Sequence, residues 1–256
     1  MTDGTTTDAE RAAGSRGDLF ILSAPSGTGK TTMIRALLEG ELSGLLELHF
    51  AISHTTRKPR GGEVDGQDYH FTDPETFRER IAEERFLEWA EVHNNYYGTS
   101  LEEVVPFLDR GIDVLLDIDV QGAERVLELC SDPSKGPLRT PVHSVFILPP
   151  SRSALQERLY QRDLDDREEI ERRLAVSRAE IQRSPDYEYV IVNRDARAAS
   201  YVLASIILEK RHRQMRMRGE VEEILGDFDS GQDEGSMSGS GRGAAHDQTQ
   251  ARADKG

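Results

Sequence analysis

Residues 24–31 read Ala-Pro-Ser-Gly-Thr-Gly-Lys-Thr, a spacing able to hold the phosphates of a nucleotide. Gly27 and Gly29 let the backbone curl so that successive N–H groups point inward at phosphate oxygens, and the N-terminus of a following helix adds partial positive charge. Lys30 is placed to reach β- and γ-phosphates, and the Thr31 hydroxyl to ligate Mg²⁺. Ala24 stands where the general P-loop pattern has glycine; one extra methyl group leaves the inward N–H groups intact. A Gly-rich turn made for packing alone has no need of Lys-Thr in this register. Such a cradle also needs an acid near the metal, commonly at the end of a buried strand. Asp117 and Asp119, alternate residues of the run Leu-Leu-Asp-Ile-Asp, would face the same way on a strand. The competing reading is of two strand-end carboxylates that cap the next helix or stay solvated.

Two groups of arginines could neutralise a transferring phosphoryl group. Arg57 and Arg60 lie in Thr-Thr-Arg-Lys-Pro-Arg-Gly-Gly, whose Pro-Arg-Gly-Gly turn cannot be regular helix, so both could converge on a phosphate with bidentate geometry. Arg158 and Arg162 are i, i+4 neighbours on one helix face. Arg173 follows the charged connector Asp163-Leu-Asp-Asp-Arg-Glu-Glu, which resembles a lid hinge. Arg167, Arg172 and Arg178 read as solvated surface arginines, and His54 and His93, with no acid partner at short spacing, as structural.

The elements that must position these groups alternate apolar runs with amphipathic helices, the signature of a parallel sheet covered on both faces. Leu19–Ser23, Ile112–Val120, His143–Leu148 and Tyr189–Val192 read as buried strands. The expected helices follow the Gly-rich turn through about Glu39, then run over 121–130, 151–162, 168–183 and 196–213. From about Phe50 to Thr99 the texture changes to short, Gly-rich, aromatic-bearing segments with one helix, Pro74–Glu84, capped by Asp73. This stretch reads as an inserted lobe.

Composition narrows the class. Across 256 residues, 32 Lys+Arg against 47 Asp+Glu give a net charge of −15. An acidic surface lacks the counterion-release term that drives general nucleic-acid binding. No apolar run approaches the roughly 18–20 residues of a membrane-spanning helix. The single cysteine, Cys130, excludes an intramolecular disulfide framework, fits a reducing, cytoplasmic setting and reads as a small buried side chain. Residues 1–17 read as a disordered polar leader without a secretory h-region. Residues 219–256, with nine acids against three bases, read as a solvated tail. A homo-oligomer is possible, and nothing in the sequence selects it.

Six segments, SAPSGTGKTT, SHTTRKPRGGEVDGQDYHF, FLEWAEVHNNYYGTS, LLDIDVQGAERV, FILPPS and VIVNRD, in this order resemble the guanylate kinase family from about Leu19 to Arg213. The TTRxPRxGExxGxDYxF block is far more specific than the P-loop. The resemblance implies an α/β, three-layer P-loop kinase fold with a parallel central sheet, spanning 18–213. It further implies a GMP-binding lobe at about 50–99 and a helical lid at about 158–173; the helix end and acidic disordered tail read over 214–256 lie outside the resemblance.

The activity implied is in-line transfer of the ATP γ-phosphoryl group to GMP, and to dGMP, with Mg²⁺ held by Thr31 and, through water, by Asp117. Ala24, Pro25, Ser26, Gly27, Thr28, Gly29, Lys30, Thr31 and Thr32 would bind ATP with Arg158, and Asn193 and Arg194 would lie beside its adenine. Lys30, Arg60, Arg162 and Arg173 would carry catalysis. Arg57, Arg60, Tyr69 and Tyr97 would bind the GMP phosphate, and Ser53, Glu88, Thr99 and Asp119 would surround guanine. Two departures stand out: Arg162-Asp163 where many members have Arg-Gly, and Asn193-Arg194 where they have Asn-Asp. Two alternatives compete. A non-catalytic guanylate-kinase-like module for phosphopeptides typically has a degraded P-loop, intact here. A related sugar-phosphate kinase would not need Ser53, Glu88 and Thr99 together.

Overall fold

The computed structural model describes residues 16–92, 94–130, 138, 140–162 and 167–236, apart from the side chains of residues 162 and 231–236. Along the chain, β1 (Leu19–Ser23) leads through a Gly-rich turn into α1 (Lys30–Leu38) and then β2 (Leu48–Phe50). A separate group follows: β3 (His54–Thr55), β4 (His70–Phe71), α2 (Pro74–Ala82), β5 (Phe86–Val92) and β6 (Asn95–Ser100). The chain returns through the 3-10 turn Leu101–Glu103 and α3 (Val105–Leu108) to β7 (Asp113–Asp117) and α4 (Val120–Cys130). It ends with β8 (Val142–Leu148), α5 (Arg152–Arg162), α6 (Arg167–Ile181), β9 (Tyr189–Val192), α7 (Ala196–Arg211) and α8 (Arg218–Ser236).

The core sheet is parallel, in the order β2-β7-β1-β8-β9. Because strand side chains alternate between faces, Leu19, Ile21, Val114 and Leu116 pack on one side with α3 and α4. Phe20, Leu22, Leu115, Val145 and Ile147 pack on the other with α1 and α7. Burial on both faces is why these runs read as continuously apolar, and each such side chain contributes roughly 1.5–3 kcal/mol by leaving water.

The second sheet, in the order β4-β3-β6-β5, is the inserted lobe. Its β3–β6 and β5–β6 pairings are antiparallel, and β3–β4 is parallel. Phe77 of α2 stacks on Phe86 at 4.4 Å and on Tyr96 at 5.3 Å, giving the lobe an aromatic core. Asp73 caps α2 by accepting from the N–H groups of Glu75 and Thr76, both at 2.9 Å, with Pro74 at the first helical position.

Three expectations need correction. The strand expected over 112–120 covers only Asp113–Asp117, because Asp119 accepts from Gly122 N–H at 2.7 Å and so begins α4. Of the expected leader, Arg16 pairs with Asp109 and Gly17 N–H donates to the Leu108 carbonyl at 2.8 Å; residues 1–15 lie outside the described residues. The expected tail contains α8. Met217, Val221, Ile224, Leu225 and Phe228 recur at helical spacing, and Arg218 pairs with Glu222 one turn on at 2.8 Å. The acidic composition hid that period. Residues 237–256 lie outside the described residues.

Candidate active site

The turn between β1 and α1 has the geometry its sequence requires. Gly27 and Gly29 adopt φ of +83° and +89°, a region costly for residues with a Cβ. Added Cβ atoms would also lie 2.8 Å from Leu159 and 2.9 Å from the Asn193 amide. Lys30, the first residue of α1, forms an ion pair with Asp117 at the end of the adjacent strand β7. Thr31 and Thr32 are exposed on the first turn of α1, and Ser26 is exposed at the mouth of the loop. The Thr28 hydroxyl donates to the Pro25 carbonyl at 2.6 Å.

Arg158 braces this loop. Its guanidinium donates to the Thr28 carbonyl at 2.7 Å and to the Asn193 carbonyl at 3.2 Å, while the Asn193 amide donates to the same Thr28 carbonyl at 2.9 Å. Asn193 Oδ1 is buried without a partner among the described residues, an acceptor available to an amino group. The Arg194 side chain is exposed. From α6, Arg173 donates to the Ser26 hydroxyl at 2.9 Å, which brings one of the expected catalytic arginines onto the cradle. Arg162 is the last residue of α5, but its side chain, like residues 163–166, lies outside the described residues. Arg167, Arg172 and Arg178 are exposed, as expected.

The lobe supplies the second half. Glu88 on β5 is 6% exposed, and its Oε1 accepts from the Thr99 N–H and hydroxyl, both at 2.9 Å. The Thr99 and Ser53 hydroxyls lie 3.3 Å apart. Burial, reinforced by the neighbouring Asp119 and opposed by the Thr99 bonds, pushes the Glu88 carboxyl up to about 7. Asp119 both caps α4 and faces Glu88. Asp119 follows Asp117 by two residues, and Asp117 holds Lys30, so the floor of the pocket continues directly into the cradle.

The lobe arginines are arranged differently from the expected convergence. The Arg57 guanidinium is already gripped by Glu63, at 2.8 and 3.0 Å, and lies 5.4 Å from the Tyr69 ring. Arg60 extends from an exposed loop whose N–H also donates to Glu63, at 2.7 Å. Tyr69 and Tyr97 meet edge-on at 6.1 Å, and burial raises the Tyr69 phenol above its usual range. Glu63 thereby occupies both guanidinium arms of Arg57. Sequence reading missed this partner because an acid in a Gly-rich turn carries no periodic signal. Among the described residues His54 has no hydrogen-bonded acid partner, but Arg80 donates to it at 3.2 Å; burial, His70 and Arg80 lower its imidazole to about 4, so it is neutral. His93 lies outside the described residues. Cys130 is half-buried rather than buried, at the end of α4, and burial raises its thiol.

Gly122 was also missed. It lies inside α4, and a Cβ there would sit 2.7 Å from Glu88 Oε2 and 3.3 Å from Asp119 Oδ1. The glycine signal was present in Val-Gln-Gly-Ala, where a helix interior tolerates glycine at a cost of about 1 kcal/mol. If Glu88 reads one of the nucleotides, as the sequence predicts, Gly122→Ala raises the KM for that nucleotide ~10-fold by displacing the carboxylate, since small misplacements carry large costs. The KM for the nucleotide in the cradle should be unchanged; steady-state kinetics with each substrate varied checks this.

A family model described as guanylate kinase matches residues 16–210. The guanylate kinase of Shewanella frigidimarina is 47% identical over 196 residues, spanning 77% of this chain and 89% of the relative. That of Escherichia coli O157:H7 is 44% identical over 203 residues, spanning 79% and 93%. The crystal structure of guanylate kinase from Anaplasma phagocytophilum aligns with a TM-score of 0.62 at 31% identity, over 79% of this chain and 90% of that one. With a family match over most of its length and relatives covered almost end to end, the chain belongs to the guanylate kinase family.

Proposed function

We propose that this guanylate kinase, which phosphorylates GMP at the expense of ATP, holds ATP in the β1–α1 cradle and GMP between the lobe and the end of β7. The observation that carries this reading is the continuity of the two halves: Glu88 meets Asp119, and two residues earlier Asp117 meets Lys30. Guanine offers donors at N1 and the 2-amino group. Glu88 Oε2, not taken up by the Thr99 bonds, suits them, and the Ser53 and Thr99 hydroxyls suit its acceptors. Adenine has an acceptor at N1 and would leave the buried carboxylate unpartnered, a mismatch that discriminates by orders of magnitude. Every group read by this pocket is shared by dGMP.

For transfer, the acceptor oxygen is already anionic, so positioning and charge neutralisation suffice. Lys30 exchanges Asp117 for the β- and γ-phosphates. Arg173 and Arg162 act on the triphosphate, and Arg57, Arg60, Tyr69 and Tyr97 on the GMP phosphate. Asn193 Oδ1 accepts from the adenine amino group. Thr31 and, through water, Asp117 would hold Mg²⁺, an all-oxygen donor set that suits this ion; when bound it offsets charge on the β- and γ-phosphates. A cytoplasmic location accords with the free thiol of Cys130. The test is a coupled ADP-release assay with Mg·ATP across GMP, dGMP, AMP, CMP, UMP and ribose phosphates. GMP and dGMP should turn over, with AMP at least ~100-fold poorer. Equal use of AMP and GMP would overturn the pocket assignment.

A further inference from the structure

The lobe is attached by two connections, one leaving β2 through residues 51–53 and one returning from β6 through the turn Leu101–Glu103. Glu103 stands where they pass each other. Its Oε2 accepts from His49 Nε2 of β2 at 3.1 Å and from the Ile52 N–H at 3.3 Å. Its Oε1 accepts from His70 Nε2 of β4 at 3.0 Å. One carboxylate oxygen therefore holds the core and the outgoing connection, and the other holds the lobe. Both imidazoles must carry their proton on Nε2, because an ionised carboxylate only accepts.

Each arm is fixed at its far end. The His49 ring stacks on Phe107 with centroids 3.4 Å apart and planes 4° from parallel. The His70 ring lies 4.7 Å from that of His54, and the His70 backbone N–H donates to the Ser53 carbonyl at 2.9 Å. Burial alone would raise the Glu103 carboxyl, but the bonds from His70 and His49 outweigh it and hold it below the usual range. A carboxylate kept ionised between two rigid rings spans the junction as a strut, one residue from the Ser53 that faces Thr99.

We propose that Glu103 is a positioning residue for phosphoryl transfer: by bridging His49 of the core and His70 of the lobe, it sets where the lobe presents GMP to the cradle. This rests on GMP occupying the lobe. All of the proposed GMP side-chain contacts except Asp119 belong to the lobe and its outgoing connection, so loss of the strut leaves GMP recognition nearly intact and misaligns the acceptor oxygen. Misalignment of about 1 Å can cost up to ~100-fold in rate.

Glu103→Ala leaves three half-buried donors unpaired, so the decisive variants are His49→Phe, which preserves stacking on Phe107, and His70→Phe, which preserves the ring beside His54. Each should lower kcat ~10-fold with KM for GMP changed less than ~3-fold. The double variant should be no worse than either single one, because a span cut at one end is already cut. Independent structural losses would instead add.

A second readout does not depend on catalysis. Spin labels on cysteines placed at Arg35 of α1 and Glu79 of α2, in a Cys130→Ser background, should show a broader core-to-lobe distance distribution in either histidine variant than in the parent. Additive losses, a rise confined to KM, or an unchanged distribution would each overturn the proposal. Failure of the GMP assignment itself would show separately, as unaltered GMP kinetics in Gly122→Ala.

Discussion

Lys30→Ala should lower kcat by at least ~10³-fold while the protein remains folded. The ammonium is the one cation that α1 presents at the centre of the cradle, and in a water-excluded site a single charge-stabilising donor supplies roughly 10²–10³ in rate. A γ-phosphoryl group spreading negative charge over three oxygens demands more of it than a neutral carbonyl would. The fold should tolerate the change because the partner left behind, Asp117, is 26% exposed at a strand end and can be hydrated. The loss should appear in kcat with every acceptor nucleotide, and the midpoint of thermal unfolding should move by only a few degrees. Turnover near the parental rate would refute the cradle as the ATP site.

Glu88→Gln should separate recognition from stability in opposite directions. The amide offers one acceptor where the carboxylate offers two and presents an N–H₂ toward guanine donors, so kcat/KM for GMP should fall ~10²-fold with KM for ATP unchanged. Burial pushes the native carboxyl from the ordinary 4.5 up to about 7. Between those values the folded state keeps a proton that the unfolded chain has released, so this carboxyl makes stability fall as pH rises through the window. The loss amounts to about 3 kcal/mol and is complete above pH 7. Glutamine does not titrate, so the variant should be the more stable protein at pH 8, and its advantage should vanish near pH 4. For the parent, KM for GMP should climb as pH drops below 7 and Glu88 gains its proton; the variant should lack that dependence. Denaturant melts and GMP titrations at pH 4, 6 and 8 measure both effects. A variant less stable than its parent at pH 8, or an unchanged KM for GMP, would contradict the buried base-reading role.

The legible parts of the molecule were those whose residues act locally. Gly27, Gly29, Lys30 and Thr31 are consecutive, and the positive φ angles and helix start they require follow from residue type. Three of the four core strands read from the sequence are buried on both faces, and their apolar runs announced them; β9, also read, buries Ile191 but leaves Val190 and Val192 exposed, and β2, only Leu48–Phe50, was not picked out. β3 and β4 have two residues each, too few to establish a period, so the lobe sheet could not be drawn although the lobe could be bounded. Contacts made across the sequence were opaque. The grip of Glu63 on Arg57, the close approach of Gly122 to Glu88 and the meeting of His49, His70 and Glu103 all depend on tertiary placement. The helix α8 was overlooked for a different reason: charge and glycine content outweighed a correct apolar spacing.

The strands β3 and β6 pair immediately beyond the core, so the polypeptide enters and leaves the lobe side by side, with Ser53 and Thr99 facing each other 3.3 Å apart. The appendage is joined covalently by a single two-stranded stem and rests on the core where β5 packs against α4, so it is organised as a cassette. Swapping it for another of equal stem width would redirect the donated group to a new recipient without re-threading a single strand of the engine that splits ATP.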